Sequence, residues 1–333
     1  MSRVVVTGGA GFIGSHACAV LAGEGHEVIA VDPMRTYSYS LEPRHWYGLR
    51  YRRDVLLRDA DLVVASTENR DELRRALLET QPEYLIHLGA LPLATVARVS
   101  ADHAFESILR GTYNLLELVL EVGSVSKFLY VSSSMAYGDF TEEPMPESGR
   151  AAPKDIYGGM KLAGEVMVQT FSRAFGLPHA IVRPSAVYGP TDMNDRIVQR
   201  FAECALWSRP LTVRNPESTG LDFTYVADVA EGLVRVLLAP VENETFNITA
   251  GRSRTLAELH DLLAARFPAM PVELSTERED FRPKRGTLDI SKARTLVGYE
   301  PRYPLERGVS DYLDFLASLP DAGTIALPTA ELI

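Results

Sequence analysis

The first half of the chain alternates short apolar runs with longer amphipathic segments. Runs rich in β-branched and aromatic residues predict strands at Val4–Val6, Val28–Val31, Tyr84–Leu88, Phe128–Val131 and Ala180–Val182. The segments between them have helical spacing, as in Asp71–Glu79, where Leu73, Ala76 and Leu77 share one face. Because strands that alternate with helices need crossover connections, the pattern predicts an α/β fold with a doubly wound parallel sheet.

The second half of the chain has less regular spacing. After Tyr188, helical patterns at Arg196–Leu206, Val226–Leu238 and Leu256–Arg266 predict a second, smaller α/β lobe. We assign residues 1–182 to the first domain, residues 183–320 mainly to the second lobe with some segments returning to the first, and residues 321–333 to a loosely held tail. The polar and aromatic stretch Pro33–Arg53 is predicted to be a long connection, a feature that is often functional.

Composition narrows the classes of function. The 333 residues have apolar and charged fractions of 46% and 23%, which are those of a soluble globular protein. A net charge of −10 argues against a general binder of nucleic acid or anionic membrane. Cys18 and Cys204 have no metal-ligand spacing and form no disulfide framework, and no apolar run is long enough to span a bilayer. We therefore expect a cytoplasmic protein without a metal, a nucleic-acid partner or a membrane partner.

Glycine residues are concentrated directly after the first predicted strand, in the segment TGGAGFIG of residues 7–14. Glycines allow a tight turn and let backbone N–H groups approach a pyrophosphate at a helix N-terminus, where the helix dipole favours anions. A helical segment follows the turn, as such a site requires. The pattern predicts a Rossmann-type dinucleotide site formed by Gly8, Gly11, Phe12, Ile13 and Gly14.

Asp32 ends the second predicted strand, eighteen residues after Gly14. A carboxylate at this place accepts hydrogen bonds from the adenosine ribose and repels a 2′-phosphate, so it favours NAD over NADP. Arg35 is a counter-argument, since a nearby arginine can accommodate that phosphate. We predict that the cofactor is NAD and that both residues lie at its site.

Tyr157 and Lys161, in the segment YGGMK, are four residues apart and share one face if the segment is helical. Such pairs also occur by chance on helix surfaces, so the spacing alone leaves open an ordinary surface pairing. A tyrosine with a pKa of about 10 is a poor base at neutral pH. Positive charge from Lys161 and a nicotinamide ring would favour the phenolate and lower that pKa.

Several motifs occur in a specific order along nearly the whole chain. They are TGGAGFIG (7–14), Asp54-Val55, IHLGA (86–90), GTYNLLE (111–117), SSSMAYG (132–138), YGGMK (157–161), RPSAVYGP (183–190), DFTYVADVA (222–230) and DISKA (289–293). Their order and spacing resemble the extended short-chain dehydrogenase/reductase family, and within it the NDP-sugar epimerases of the UDP-glucose 4-epimerase type. The resemblance implies an NAD-dependent isomerase of carbohydrate metabolism that forms a homodimer.

The resemblance also implies a catalytic role for three residues. Tyr157 and Lys161 match the catalytic pair, which also contacts the cofactor, and Ser133 matches the catalytic serine or threonine. Tyr157 would take the proton from a sugar hydroxyl while the carbon gives hydride to NAD⁺. The 4-keto sugar would turn over in the pocket and regain hydride on its other face, which inverts C4.

Further cofactor contacts are implied by the same resemblance. Asp54 and Val55, taken to follow the third strand region, match the pair that contacts adenine. Asn114 matches an asparagine that orders the backbone and water of the active site. Three residues would line the cofactor beneath the third and fourth strands, namely Leu88, Gly89 and Ala90.

Departures from the family pattern leave other reactions open. Dehydratases carry Asp-Glu after the catalytic serine or threonine, and decarboxylases usually carry a glutamate in this region, whereas this chain has Ser134-Met135. Epimerisation is therefore the first interpretation. The alternatives are an NDP-sugar dehydratase, decarboxylase or ketoreductase, or a non-catalytic NAD-binding sensor.

The substrate contacts depart from the pattern more strongly. Ser134 and Met135 are candidate contacts, and Ala186 stands where the family often has asparagine. The family has Arg-Asp-Phe or Arg-Asp-Tyr where this chain has Leu221-Asp222-Phe223, so an arginine that clamps the diphosphate is missing. The arginines that could replace it are Arg196, Arg200, Arg214 and Arg282.

Overall fold

The computed structural model describes residues 1–35, 43–92, 94–214, 216–217, 220–275 and 283–319. The strands are β1 (Arg3–Thr7), β2 (Glu27–Asp32), β3 (Asp61–Val64), β4 (Tyr84–His87), β5 (Lys127–Val131), β6 (His179–Arg183), β7 (Val187–Tyr188), β8 (Leu211–Arg214), β9 (Gly220–Leu221), β10 (Thr224–Tyr225), β11 (Glu244–Asn247), β12 (Arg254–Thr255) and β13 (Val272–Ser275). Among these residues no helix is long and apolar enough to cross a membrane.

Helices connect the strands throughout the chain. They are α1 (Phe12–Gly23), α2 (Pro43–Tyr51), α3 (Arg70–Thr80), α4 (Ala94–Val99), α5 (Ala101–Ala104), α6 (Gly111–Val122), α7 (Ile156–Phe175), α8 (Ile197–Leu206), α9 (Val226–Leu238), α10 (Leu256–Arg266), α11 (Ser291–Val297) and α12 (Leu305–Ala317). The described residues also form two π-helical turns, Arg52–Leu56 and Phe105–Arg110, and one 3₁₀ turn, Ser134–Tyr137.

Seven strands form the central parallel sheet, in the order β11-β6-β5-β4-β1-β2-β3. The chain leaves β1 towards β2 and β3, and later returns to the other side of β1 with β4. In such sheets ligands bind outside the carboxyl ends of the strands at this reversal of direction. The topology confirms the predicted doubly wound α/β fold and places the expected site at the ends of β1 and β4.

The sheet is buried between two layers of helices, so its central strands are apolar on both faces. Side chains of α1 and α9 cover one face, and side chains of α3, α6 and α7 cover the other. Both α9 and β11 follow residue 183 in the chain, yet they belong to this layered core. A separate apolar cluster in the second lobe joins α8, α10 and α12 around β8.

In the first half of the chain, two elements were not predicted from the sequence patterns. The second half of the predicted connection Pro33–Arg53 is the helix α2, and the strand β3 was not predicted. β3 lies at the edge of the sheet, and most of its residues are exposed. An exposed edge strand needs no continuous apolar run, which is the pattern that revealed the other strands.

Candidate active site

The glycine-rich turn lies between β1 and α1, as predicted. Gly8 has a φ of +70°, in the left-handed region that favours glycine, and a Cβ on Gly14 would overlap the carbonyl oxygen of Gly8. Gly11 directly precedes the helix, and Phe12 and Ile13 begin it. The first amides of a helix have no partner within that helix, and the helix dipole makes them an anion site. The turn therefore fits the pyrophosphate of a dinucleotide.

Asp32 lies at the end of β2, beside the glycine-rich turn. Its Oδ2 accepts a hydrogen bond from the amide of Ala10 at 3.2 Å, and its Oδ1 accepts one from the amide of Met34 at 2.8 Å. Burial raises the pKa of Asp32, and these two hydrogen bonds act in the opposite direction. The carboxylate is thus held at the place where a dinucleotide presents its adenosine ribose.

The segment after β4 packs against the same turn. The amide of Leu88 donates to the carbonyl oxygen of Thr7 at 3.0 Å, and the amide of Gly89 donates to Thr7 Oγ1 at 3.3 Å. Ala90 packs against the small apolar cluster that Tyr157 also contacts. The three predicted cofactor contacts therefore lie between the glycine-rich turn and the tyrosine.

The predicted position of Asp54 and Val55 is wrong. Both residues lie in the π-helical turn Arg52–Leu56, before β3, and not after the third strand. Their side chains are exposed, with Val55 at 45%. The carboxyl end of β3 is instead followed by Ser66 and Thr67. The error arose because the edge strand β3 was missed, so the motif was assigned to the wrong side of it.

Asn114 is buried on α6 and holds the loop that follows β3. Its Nδ2 donates to the carbonyl oxygens of Thr67 and Glu68, at 3.0 and 3.4 Å. This loop borders the cofactor side of the sheet. The expected role of Asn114 in ordering water stays a prediction.

Tyr157 and Lys161 lie on one face of α7, which begins after Asp155. The ammonium group of Lys161 is buried, donates to the carbonyl oxygen of Val131 at 2.9 Å and lies 5.9 Å from the centre of the Tyr157 ring. Ser133 lies close enough to the Tyr157 hydroxyl to lower its pKa. The structure thus brings the three predicted catalytic residues together at the carboxyl end of β5. A buried lysine is not the solvated helix residue that an ordinary surface pairing would give.

Burial dominates the ionisation of this pair. It raises the pKa of Tyr157 to about 12, although the charge of Arg196 and the nearby Ser133 side chain both lower it. Burial also lowers the pKa of Lys161 to about 8, against the charge of Glu165. At neutral pH the protein alone therefore holds a neutral phenol beside an ammonium group. Further positive charge near the hydroxyl, such as a nicotinamide ring, would favour the phenolate.

The two glycines of YGGMK have different surroundings. A Cβ on Gly158 would lie 2.5 Å from the carbonyl oxygen of Met135, whereas Gly159 faces open space. Gly158 therefore lets α7 pack closely against the segment that carries Ser133. In that segment the amide of Ser134 donates to the carbonyl oxygen of Pro184 at 2.9 Å, while its buried Oγ has no hydrogen-bond partner among the described residues.

Arg196 reaches from the second lobe to the glycine-rich turn. Its Nη1 donates to Asp192 Oδ1 at 2.6 Å, its Nη2 donates to the carbonyl oxygen of Pro92 at 3.4 Å, and its Cζ lies 5.5 Å from the centre of the Phe12 ring. Its charge also acts on Tyr157. Of the arginines predicted to contact substrate, this one lies beside the reacting groups.

Arg200 and Ala186 are two further predicted substrate contacts that the structure describes. Arg200 is half-exposed and pairs with Asp195 at 3.6 Å. The side chain of Arg214 and the whole of Arg282 lie outside the described residues, as does the tail 321–333. Ala186 has a φ of +39°, in the left-handed region where asparagine is better tolerated than alanine.

Three buried charged residues near the site were not predicted. Arg183 pairs with Glu165 through two hydrogen bonds of 2.9 and 2.6 Å. Glu165 lies one helical turn after Lys161 on α7. Arg52 donates to the carbonyl oxygens of Ala10 and Thr191, and so joins the glycine-rich turn to the second lobe. Glu165 could have been found, because it lies four residues after Lys161 on the same helical face. Arg52 is one arginine in an arginine-rich run, and nothing in the sequence distinguishes it.

A doubly wound sheet with a glycine-rich turn, a ribose-binding carboxylate and a Tyr-Lys pair defines a dinucleotide-dependent enzyme of the dehydrogenase type. A family model described as the NAD dependent epimerase/dehydratase family matches residues 4–249. The chain belongs to this family, which confirms the predicted resemblance and the predicted NAD cofactor.

Individual relatives extend the match over nearly the whole chain. An uncharacterized UDP-glucose epimerase of Bacillus subtilis is 28% identical, over 95% of this chain and 98% of the relative. UDP-glucuronic acid decarboxylase 1 of Arabidopsis thaliana is 30% identical, over 93% of this chain and 69% of the relative. The crystal structure of UDP-glucose 4-epimerase of Thermotoga maritima with UDP-glucose has a TM-score of 0.84 and 28% identity, and the match covers 95% of this chain and 98% of that one.

Proposed function

We propose that this protein catalyses the NAD-dependent epimerisation of a nucleotide-diphosphate sugar at C4, through a transient 4-keto sugar. The observation that carries the proposal is the partly buried Tyr157 beside the buried Lys161, with Ser133 close enough to lower the pKa of the tyrosine hydroxyl and the glycine-rich turn nearby. Relatives described as epimerases of UDP-glucose support the nucleotide-sugar substrate.

The chain's own residues supply the acid–base chemistry. Bound NAD would supply the hydride acceptor. Tyr157 Oη takes the proton of the C4 hydroxyl and returns it after the 4-keto sugar has turned over. Ser133 donates a hydrogen bond to the same sugar oxygen and holds it near Tyr157. The Lys161 ammonium, fixed by the carbonyl oxygen of Val131, favours the deprotonated tyrosine.

The alternative reactions require groups beyond these. A dehydratase needs an acid and a base that remove water, and the positions after Ser133 hold Ser134 and Met135, which supply neither. Decarboxylation is the alternative with direct support, because decarboxylases are among the relatives. Release of CO₂ from a uronic acid substrate distinguishes it from epimerisation.

The reaction is tested by NMR of the products formed from a panel of NDP-sugars. We expect a C4 epimer, no net consumption of NAD, and loss of the reaction in Tyr157→Phe. A keto product, released CO₂ or net oxidation would contradict the proposal.

Three further properties belong to the same proposal. Residues 1–182 would bind NAD and residues 183–320 would mainly bind the nucleotide sugar, with Ser134, Met135, Ala186 and Arg196 as substrate contacts. The protein would act in the cytoplasm, in keeping with its two unpaired cysteines. It would form a homodimer, as the resemblance implies, and light scattering on a size-exclusion column measures its mass.

A further inference from the structure

A surface cleft of about 430 Å³ lies beside Asp32, between the end of β2 and the start of α3. Its lining includes Arg35, Glu68, Asn69 and Glu72. The cleft combines two arginines, Arg35 and Arg70, with the N-terminal turn of a helix, and Arg70 pairs with Glu121 at 3.9 Å. These two features would favour a phosphate group.

Side chains of the protein already bind both features. Asn69 Oδ1 accepts from the first amides of α3, those of Asp71 and Glu72, at 3.2 and 3.3 Å. Glu68 Oε2 pairs with Arg35 Nη1 at 3.6 Å. The helix N-terminus is therefore capped by an amide oxygen, and Arg35 is paired with an acidic side chain.

The backbone of Glu68 is fixed from two sides. Its amide donates to Ser66 Oγ at 3.2 Å, and its carbonyl oxygen accepts from Asn114 Nδ2 at 3.4 Å. Arg35 is also positioned, because Met34 turns the chain with a φ of +55° and donates its amide to Asp32. The pair thus lies next to the carboxylate that faces the ribose, where NADP differs from NAD by one phosphate.

We propose that Glu68 determines cofactor specificity by holding Arg35 in an ion pair, so that this guanidinium does not accept the 2′-phosphate of NADP. Asp32 and Glu68 then exclude NADP together, Asp32 from β2 and Glu68 from the loop after β3. This inference rests on the dinucleotide site and is independent of the sugar reaction.

The test is a competition between the two dinucleotides in the absence of sugar nucleotide. The full-length protein is equilibrated with equal concentrations of NAD and NADP, and the bound nucleotides are quantified by mass spectrometry. We expect Glu68→Gln to raise the bound NADP to NAD ratio about tenfold, the effect of one charge-assisted contact. Glu79→Gln, at an exposed position in the last turn of α3, makes the same change of charge and should leave the ratio unchanged.

The double variant Arg35→Gln/Glu68→Gln identifies the group that accepts the phosphate. We expect the double variant to lose most of the increase in the bound NADP to NAD ratio that Glu68→Gln shows. An unchanged ratio in Glu68→Gln, an equal gain in Glu79→Gln, or a gain that persists in the double variant would each overturn the proposal. Failure of the wild-type protein to bind NAD would instead overturn the cofactor assignment, and the proposal with it.

Discussion

The cofactor end and the substrate end of this site are built in different ways. The core of the cofactor end is formed by backbone amides of one glycine-rich turn and the carboxylate of Asp32, all within residues 1–35. The proposed substrate contacts are side chains from separate segments, such as Ser134 in the 3₁₀ turn and Arg196 directly before α8. Backbone recognition requires glycines at fixed positions and leaves a clear sequence pattern. Side-chain recognition can change its residues freely, so it leaves little pattern.

Tyr157→Phe should give the largest difference between the substrate end, measured by turnover, and the cofactor end, measured by NAD binding. Removal of the general base should lower kcat about a thousandfold, while NAD binding changes little, because the glycine-rich turn is untouched. Steady-state kinetics and NAD titration measure the two effects. Tyr113→Phe on α6 is the matched control, since that ring is 38% exposed. Near wild-type turnover in Tyr157→Phe would remove the catalytic role of Tyr157.

Glu165→Gln should have the largest effect on stability. The change leaves the buried Arg183 without its charge partner, which costs about 3 kcal/mol. Urea unfolding measures the loss. The exposed pair of Arg294 with Glu300 has two hydrogen bonds of 2.9 Å, so Glu300→Gln is a geometric match that should cost under about 1 kcal/mol. Equal losses in the two variants would show that burial of the pair is unimportant.

Two glycine-to-alanine changes should alter the stability of the protein in opposite directions. In Gly14→Ala the new Cβ meets the carbonyl oxygen of Gly8, so we expect a loss of about 2 kcal/mol and weaker NAD binding. In Gly159→Ala the new Cβ meets open space within α7, so we expect a gain of about 0.5 kcal/mol. Thermal unfolding of both variants checks the signs. Equal tolerance of both changes would contradict the close packing of the turn.

His87 predicts a dependence of stability on pH. It is buried between Thr7 and Thr112, and burial lowers its pKa to about 3. Between pH 6.5 and 3 the unfolded chain binds a proton that the folded protein does not, so stability falls as pH falls, by about 2 kcal/mol at pH 5.

Urea unfolding at pH 7 and pH 5 tests this prediction. His87→Gln should lose less stability between these pH values than the wild type. His103→Gln, whose side chain is 38% exposed, is the comparison variant. If His87→Gln lost as much stability as the wild type between pH 7 and pH 5, the pH dependence could not be assigned to His87.

Ala186→Gly should also have a small effect on stability. Glycine adopts the φ of +39° without the strain that alanine has there, so we expect a gain of about 0.5–1 kcal/mol. Differential scanning calorimetry measures the shift. Lower stability of the variant would show that the alanine methyl group contributes more by packing than it costs in strain.

These contrasts explain how far the sequence was informative. Buried strands and amphipathic helices were predicted closely, and α9 and α10 have the predicted bounds. The edge strand β3 was missed because it is largely exposed, and Asp54 and Val55 were therefore placed after it, whereas they precede it. Arg52 and the pairing of Arg35 with Glu68 depend on contacts between distant segments, which local patterns do not contain.

The most direct test of the account uses a nucleotide sugar labelled with deuterium at C4. If hydride leaves C4 and returns to its other face within one closed pocket, the C4 epimer retains the deuterium, and NMR in ordinary water detects no exchange at that carbon. Loss of the deuterium to solvent, or a product lighter by water or CO₂, would contradict the proposed epimerisation.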